Sequence, residues 1–149
     1  MRIDRDMPDS KLSRSIQVLA RSLTRLGRER ARALGVTPQQ AEALQIIAER
    51  HDVSTSSLAL ELGIDPSTAS RNLAGLSRSG FIVRFRGRSD GRHVDIRLTP
   101  KGKRKVEAIL QDWAQACSIA LGRISQGERQ RAAQSVDALV NALSTSSTD

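Results

Sequence analysis

The side chains best suited to chemistry in this sequence are cations crowded into one segment, residues 65–105. This segment holds eleven of the 24 Lys and Arg residues and three of the 16 acidic residues, so it carries 11 − 3 = +8. The whole chain also carries +8, which leaves the remaining residues electrically balanced. A basic excess this concentrated indicates a polyanionic partner, because a role in general solubility would spread the charge along the chain.

A short polar run opens this basic segment. Asp65 and Pro66 are typical of a helix N-cap and first helical residue. The spacing of Ala69, Leu73 and Leu76 then places apolar side chains on one helix face. Hydroxyl, guanidinium and amide groups therefore face solvent or a groove, where they can bond phosphates or base edges. They belong to Ser67, Thr68, Ser70, Arg71 and Asn72.

Four helices are predicted up to the middle of the chain. The first, residues 10–34, carries an apolar stripe at steps of four and three, and Gly35 ends it. The next begins with a capping box at Thr37–Gln40, and a third begins at Ser54 or Thr55. The fourth starts at Pro66 and ends at Gly80. Only two or three residues separate the later helices, which is typical of a helix-turn-helix.

The hydrophobic period then changes from 3.6 to 2, which predicts a β-hairpin over residues 81–86 and 93–98. One face of this hairpin should pack on the helices and comprise Phe81, Val83, Phe85, Val94, Ile96 and Leu98. A long helix is predicted from Pro100 to about Ser125. A second capping box, Ser125 to Glu128, opens a final helix that should bury Ala132, Val136, Leu139, Val140 and Leu143.

Several function classes are disfavoured by composition. The only aromatic residues are Phe81, Phe85 and Trp113, too few for platforms that stack single-stranded bases. His51 and His93 lie far apart without thiolates nearby, so neither a metal site nor a cofactor is expected. The single cysteine, Cys117, lies on an apolar stripe and should be a buried, inert thiol. The charged N-terminus and the lack of a membrane-spanning run predict a cytoplasmic protein.

Residues 58–106 closely resemble the multiple-antibiotic-resistance regulator (MarR) family. The matching motifs are an LA-x-x-L-G turn, an S-T-x-S-R helix, an L-x-x-x-G-F-I-x-R junction, an Asp-x-Arg tip and an L-T-x-x-G exit. The resemblance implies a winged helix-turn-helix fold, mainly α with a small β-hairpin wing. It also implies a C2 homodimer that reads a pseudo-palindromic duplex, with recognition helices in successive major grooves and wings in the flanking minor grooves.

The family's DNA-contacting positions fall on residues already singled out. The five polar residues of the fourth helix match the groove-facing positions. Arg92 matches the wing arginine, and Asp90 the carboxylate that orients it. The middle tip residue, often basic in the family, is Gly91 here, and Arg88 could compensate. For Arg86, as for Arg84 and Arg97 on the strands, phosphate contact and a simple solvated position are both compatible with the sequence.

Two further sites are open at this stage. Lys101, Lys103 and Arg104 crowd the first turns of a helix, where the macrodipole disfavours cations; they either contact phosphates or form a solvated basic face. In such dimers the space between the first and fifth helices can hold a small ligand, so Arg21, Arg25 and Trp113 are candidates for an effector pocket. The alternatives are a solvated helix face for the arginines and a core position for Trp113.

The sequence is therefore interpreted as one MarR-like chain, residues 1–149. Residues 37–105 form the DNA-binding domain, and residues 10–34 and 106–145 form dimerisation helices. The expected function is a sequence-specific regulator of transcription that binds double-stranded DNA, a repressor released by a small-molecule effector. The alternative is a winged-helix module for protein assembly or non-specific nucleic-acid binding. No nucleophile, metal or phosphate-loop motif indicates an enzyme.

Overall fold

The computed structural model describes residues 10–50, 52–86 and 94–146. Eight elements follow one another: α1 (Ser10–Ala33), α2 (Pro38–Glu49), α3 (Thr55–Leu62), α4 (Pro66–Arg78), β1 (Ile82–Arg86), β2 (Val94–Leu98), α5 (Pro100–Leu121) and α6 (Gln126–Ser146). The predicted class, mainly α with a small antiparallel hairpin in a winged-helix order, is confirmed. Helix α5 runs from a first compact unit, which ends at Gln111, into a second, which begins at Asp112.

The helix boundaries follow the local signals of the sequence. Thr37 and Gln40 form the predicted capping box of α2, and Ser125 and Glu128 bond reciprocally at the start of α6. Gly80, with φ +72°, ends α4 in the left-handed conformation that glycine adopts easily. The prediction was wrong for the end of α5, which stops at Leu121 rather than near Ser125.

The core of the first unit joins the helix-turn-helix to its neighbours. Its most deeply buried side chains are Leu44 of α2, Leu58 of α3, Leu73 and Leu76 of α4, and Ile82 of β1. Because four successive elements contribute to one cluster, burial of this cluster fixes the orientation of α4 relative to α2, α3 and the hairpin.

The inner face of the hairpin differs from the prediction. Ile82 pairs with Leu98 and Arg84 with Ile96, and Ile82 and Ile96 are each 2% exposed. Val83 and Phe85 lie on the other face, where Phe85 is 50% exposed. On β1 the alternation was assigned one residue out of step, because Phe81 precedes the strand and is itself buried. A shift of one residue in a strand moves every side chain to the opposite face. On β2 the prediction is confirmed for Ile96 and Leu98, which lie in or against the core.

Much of the apolar surface of the terminal helices stays exposed within one chain. On α1, Leu12, Leu19 and Leu23 of the predicted stripe are exposed. On α6, Val136, Val140 and Leu143 are also exposed, so the prediction that the final helix buries them is wrong for a single chain.

The start of α5 is joined closely to the turn between α4 and β1. The Thr99 hydroxyl donates to the Gly80 carbonyl oxygen at 2.7 Å, and the Thr99 N–H donates to the Phe81 carbonyl oxygen at 3.0 Å. The Gly102 N–H in turn donates to Thr99 Oγ1 at 3.0 Å. A Cβ at Gly102 would lie 2.0 Å from the Phe81 carbonyl oxygen. This contact explains why the L-T-x-x-G exit requires glycine at position 102.

Gly102→Ala should lower the free energy of unfolding by about 1–3 kcal/mol or more, because backbone atoms on both sides would have to move apart. Urea denaturation measures the change. Gly127→Ala is the matched control, since its Cβ would meet only the tip of Arg131, at 3.7 Å. Equal stability of Gly102→Ala and wild type would contradict the close approach.

Candidate nucleic-acid interface

The N-terminus of α4 is organised around the carboxylate of Asp65. It accepts hydrogen bonds from the Thr68 N–H at 2.9 Å, from the Thr68 hydroxyl at 2.6 Å and from the Ser67 hydroxyl. The Ser67 hydroxyl, followed by the Thr68 hydroxyl and N–H, holds the pKa of the Asp65 carboxyl well below its usual range. Two of the predicted groove-facing hydroxyls therefore donate to the helix cap, and their oxygens remain available as acceptors.

Arg71 is held beside this cap on the exposed side of α4. Its Nη2 donates to Thr68 Oγ1 at 3.0 Å, so Arg71, Thr68 and Asp65 form a short chain of hydrogen bonds. The guanidinium is exposed and retains its other N–H donors for a partner. Ser70 is also exposed on α4. The structure thus brings the polar residues of α4 together at its N-terminal half.

Asn72 is supported by a residue that sequence reasoning missed. Its Nδ2 donates to Oε1 of Gln39, the second residue of α2, at 3.0 Å. Nearby, a Cβ at Gly75 would lie 2.7 Å from Nε2 of Gln40. The first turn of α2 therefore packs directly against α4. The two partners of the Asn72 bond lie 33 residues apart, and no local pattern in the sequence links them.

The predicted wing contacts fall largely outside the described residues. Arg88, Asp90 and Arg92 lie in the undescribed range 87–93, and only the backbone of Arg86 is described, where it pairs with Val94. Their role in binding stays a prediction. Arg84 and Arg97 are exposed on the strands. The Arg97 guanidinium lies 5.8 Å from the ring centroid of Phe85, within the range of a cation–π contact.

The basic cluster at the start of α5 divides into two kinds of residue. Lys101 Nζ donates to the carbonyl oxygen of Ser79 at 2.8 Å, directly after α4. Lys103 and Arg104 are exposed, and in the described ranges neither side chain makes a hydrogen bond or ion pair with another residue. Compared with Lys101, these two side chains therefore have more N–H donors available for a phosphate.

The candidates for an effector pocket lie in different parts of the fold. Arg21 and Arg25 are exposed on α1, and Arg21 Nε donates to the Gln17 carbonyl oxygen of the same helix at 3.3 Å. Trp113 is half-buried and belongs to the second compact unit. An open depression of about 490 Å³ on α1 is lined by Lys11, Arg14, Ser15, Val18, Leu19 and Ser22. It includes neither Arg21 nor Arg25, and the effector pocket stays a prediction.

The remaining reactive side chains are one cysteine and two histidines. Cys117 is half-buried rather than fully buried. His51 and His93 lie outside the described residues. In the described ranges, no three His, Cys, Asp or Glu side chains come together as metal ligands would. None of the described helices is both long and apolar enough to cross a bilayer.

Comparison with known proteins supports the assignment made from these elements. Residues 36–94 match the model of the MarR family. A putative transcriptional regulatory protein for the hcr operon of Thauera aromatica is 32% identical over 95 residues, which cover 64% of this chain and 57% of that protein. The chain spans about half the length of several curated relatives that it matches.

Solved structures show the same fold. A MarR family protein from Bacillus stearothermophilus superimposes with a TM-score of 0.83 at 24% identity, covering 91% of this chain and 94% of that one. A mutant of S. aureus MepR bound to an oligodeoxyribonucleotide superimposes with a TM-score of 0.65 at 19% identity, covering 89% and 97%. At these identities the likeness establishes the winged-helix fold.

The Asp65 cap should make stability depend on pH. Asp65→Asn keeps an N-cap side chain but removes the charge, so we expect lower stability than wild type at pH 7. Since the native pKa of Asp65 is depressed, its contribution is complete above the unfolded-state value near 4 and is lost as the pH falls toward the native value.

Urea denaturation at pH 7, 5 and 3 measures this difference, which should narrow at the lowest pH. Asp52→Asn, at an exposed carboxylate between α2 and α3, controls for the change in total charge. A difference between wild type and Asp65→Asn that stays constant from pH 7 to pH 3 would show that the carboxylate charge has no part in the cap.

Proposed function

Since residues 36–94 of this chain belong to the MarR family, we propose that the protein is a sequence-specific regulator of transcription that binds double-stranded DNA. The observation that carries this proposal is the exposed polar face of α4, formed by Ser70 and Arg71 beside the Asp65 cap. It lies within the segment that contains the chain's whole net charge of +8.

Helix α4 would enter the major groove of the duplex. The groove is about 12 Å wide and admits an α-helix with its side chains. Arg71 can fork onto the O6 and N7 atoms of a guanine, while Asn72, held by Gln39, can offer its remaining amide groups to an adenine. The Ser70 hydroxyl would donate to a phosphate or a base edge, whereas Ser67 and Thr68, whose hydroxyls donate to Asp65, would accept from amino groups on base edges. Arg86, Arg88, Asp90 and Arg92 would form the wing contacts in the minor groove.

The exposed apolar side chains of α1 and α6 support a homodimer. A protein that stays monomeric rarely leaves large contiguous apolar patches in water. A twofold axis would bring the same faces of two chains together and would present two α4 helices to one duplex. Half-sites about one helical turn, roughly 34 Å, apart would then form a pseudo-palindromic operator.

Regulation follows from the same geometry. Only one spacing of the two α4 helices fits successive grooves, so a small molecule that favours another spacing would release the DNA. A repressor of this kind would respond to an effector near Arg21, Arg25 and Trp113. The oligodeoxyribonucleotide bound to the S. aureus MepR mutant supports DNA as a partner of this fold.

Arg71→Ala should weaken specific binding by about 1–3 kcal/mol per half-site, since the guanidinium is the only proposed bidentate contact of α4 to a guanine. Fluorescence anisotropy with a duplex selected from the source genome, and with a random duplex, measures the loss. Arg123→Ala removes an equal charge from an exposed position outside the basic segment and should have little effect.

If Arg71→Ala bound the selected duplex as tightly as wild type, α4 would not be the element that recognises the base sequence. Equal affinity of wild type for the selected and random duplexes would favour the alternative function, a module for non-specific nucleic-acid binding.

The homodimer should have twice the 16.3 kDa mass of one chain when measured by light scattering. Leu19→Glu on α1 and Leu143→Glu on α6 should shift the protein toward the monomer, because a carboxylate would have to be buried without a partner. Leu60→Glu is the matched control, since Leu60 on α3 is 85% exposed and lies outside the proposed dimer surface. A measured mass of one chain for the wild-type protein would contradict the proposed dimer.

A further inference from the structure

Two lysines of α5 share the ring of one buried phenylalanine. Phe81 lies between α4 and β1 and is 8% exposed. The Nζ atoms of Lys101 and Lys105 lie 5.0 Å and 5.4 Å from its ring centroid. Both distances fall within the range of cation–π attraction. Phe81, Lys101 and Lys105 are called the Phe81 clamp below.

Each lysine of the clamp also bonds a carbonyl oxygen just beyond the end of a helix. Lys101 Nζ donates to Ser79, directly after α4, and Lys105 Nζ donates to Leu34, directly after α1, at 2.9 Å. Carbonyls at helix C-termini lack partners within the helix and carry the negative end of its dipole. The two ammonium groups therefore have favourable local partners even though they lie in the first turns of α5.

We infer that Lys101 and Lys105 are positioning residues for DNA recognition, and that Lys103 and Arg104 are the cations of this cluster that contact phosphates. This inference rests on the proposed function. It reassigns Lys101, which the sequence placed with Lys103 and Arg104 as a possible phosphate contact. The whole cluster then has two roles, and the hydrogen bonds and ring contacts of Lys101 and Lys105 separate them from Lys103 and Arg104.

The position of the clamp explains how it would act on DNA binding. Phe81 follows α4 and precedes the hairpin, so any shift of its ring changes the direction of both. Lys105 is half-buried, contacts the Phe81 ring and donates to the carbonyl oxygen of Leu34. Leu34 lies 71 residues before Lys105 in the chain. The clamp thus connects the end of α1, a proposed dimerisation helix, to the base of α4. The Lys105 ammonium has two further N–H donors, but its bond to Leu34 and its half-buried position hold it against the fold.

Three variants that each remove one lysine charge distinguish the two roles: Lys101→Met, Lys105→Met and, as the matched control, Lys103→Met. The affinity of the 149-residue protein for the selected and random duplexes is measured over a range of salt concentrations, and its melting temperature is measured without DNA. The logarithm of the binding constant falls linearly with the logarithm of the salt concentration. Each lost phosphate contact makes this fall less steep by about 0.9, or about 1.8 for a dimer.

We expect Lys103→Met to lower the slope by this amount and to weaken both duplexes alike, with the melting temperature unchanged. Lys101→Met and Lys105→Met should keep the wild-type slope, lower the melting temperature and reduce the ratio of selected to random affinity by about two- to fivefold, the factor that corresponds to one exposed cation–π contact. Lys105→Arg should restore the ratio, because a guanidinium can also donate to a carbonyl and stack on a ring.

Two results would overturn the inference while leaving the proposed function in place. One is a slope for Lys101→Met or Lys105→Met that falls as far as that of Lys103→Met, since these lysines would then be phosphate contacts. The other is an unchanged affinity ratio in both clamp variants. Wild-type protein that binds no duplex in a salt-dependent way would overturn the proposed function itself, and the positioning role with it.

Discussion

The contact between Gly102 and the carbonyl of Phe81 is the constraint on which the arrangement of α4, the hairpin and α5 depends. The α5 backbone comes so close to the turn after α4 that no side chain fits between them. Thr99 completes the joint by bonding the carbonyls of Gly80 and Phe81. One short sequence, from Thr99 to Gly102, thereby fixes where the recognition helix ends, where the hairpin begins and where the long helix starts.

Around this joint the basic residues take different physical roles. Arg97 lies over the ring of Phe85, while Lys101 and Lys105 lie near the ring of Phe81. Arg71 is exposed but oriented by a bond to Thr68. In the proposed complex, the net charge of +8 would attract a duplex over long range, and the few cations with free donors would decide which atoms are contacted. Within the fold, Lys101 joins the start of α5 to Ser79, directly after α4.

Helix α4 is supported from two directions. Its N-terminal half is held by the Asp65 cap and by the bond from Asn72 to Gln39. Its C-terminal end is held through Ser79 and Phe81 by the first turns of α5. A helix fixed at both ends would lose little freedom on binding, which would favour selectivity among base sequences in the proposed function. The same rigidity means that a displacement of α5 or α1 would move the helix as a unit.

Local signals in the sequence determined most of the secondary structure and the family. Caps such as Thr37 and Asp65, and glycines such as Gly80, act on neighbouring residues, so helix starts and ends could be predicted without knowing the fold. The tertiary structure alone decided the inner face of β1, since Phe81 is buried before the strand begins and the alternation within the strand is shifted by one residue. It alone paired Asn72 with Gln39 and Lys105 with Leu34. The first two residues are separated by 33 positions and the second two by 71, so each pair meets only after the chain has packed.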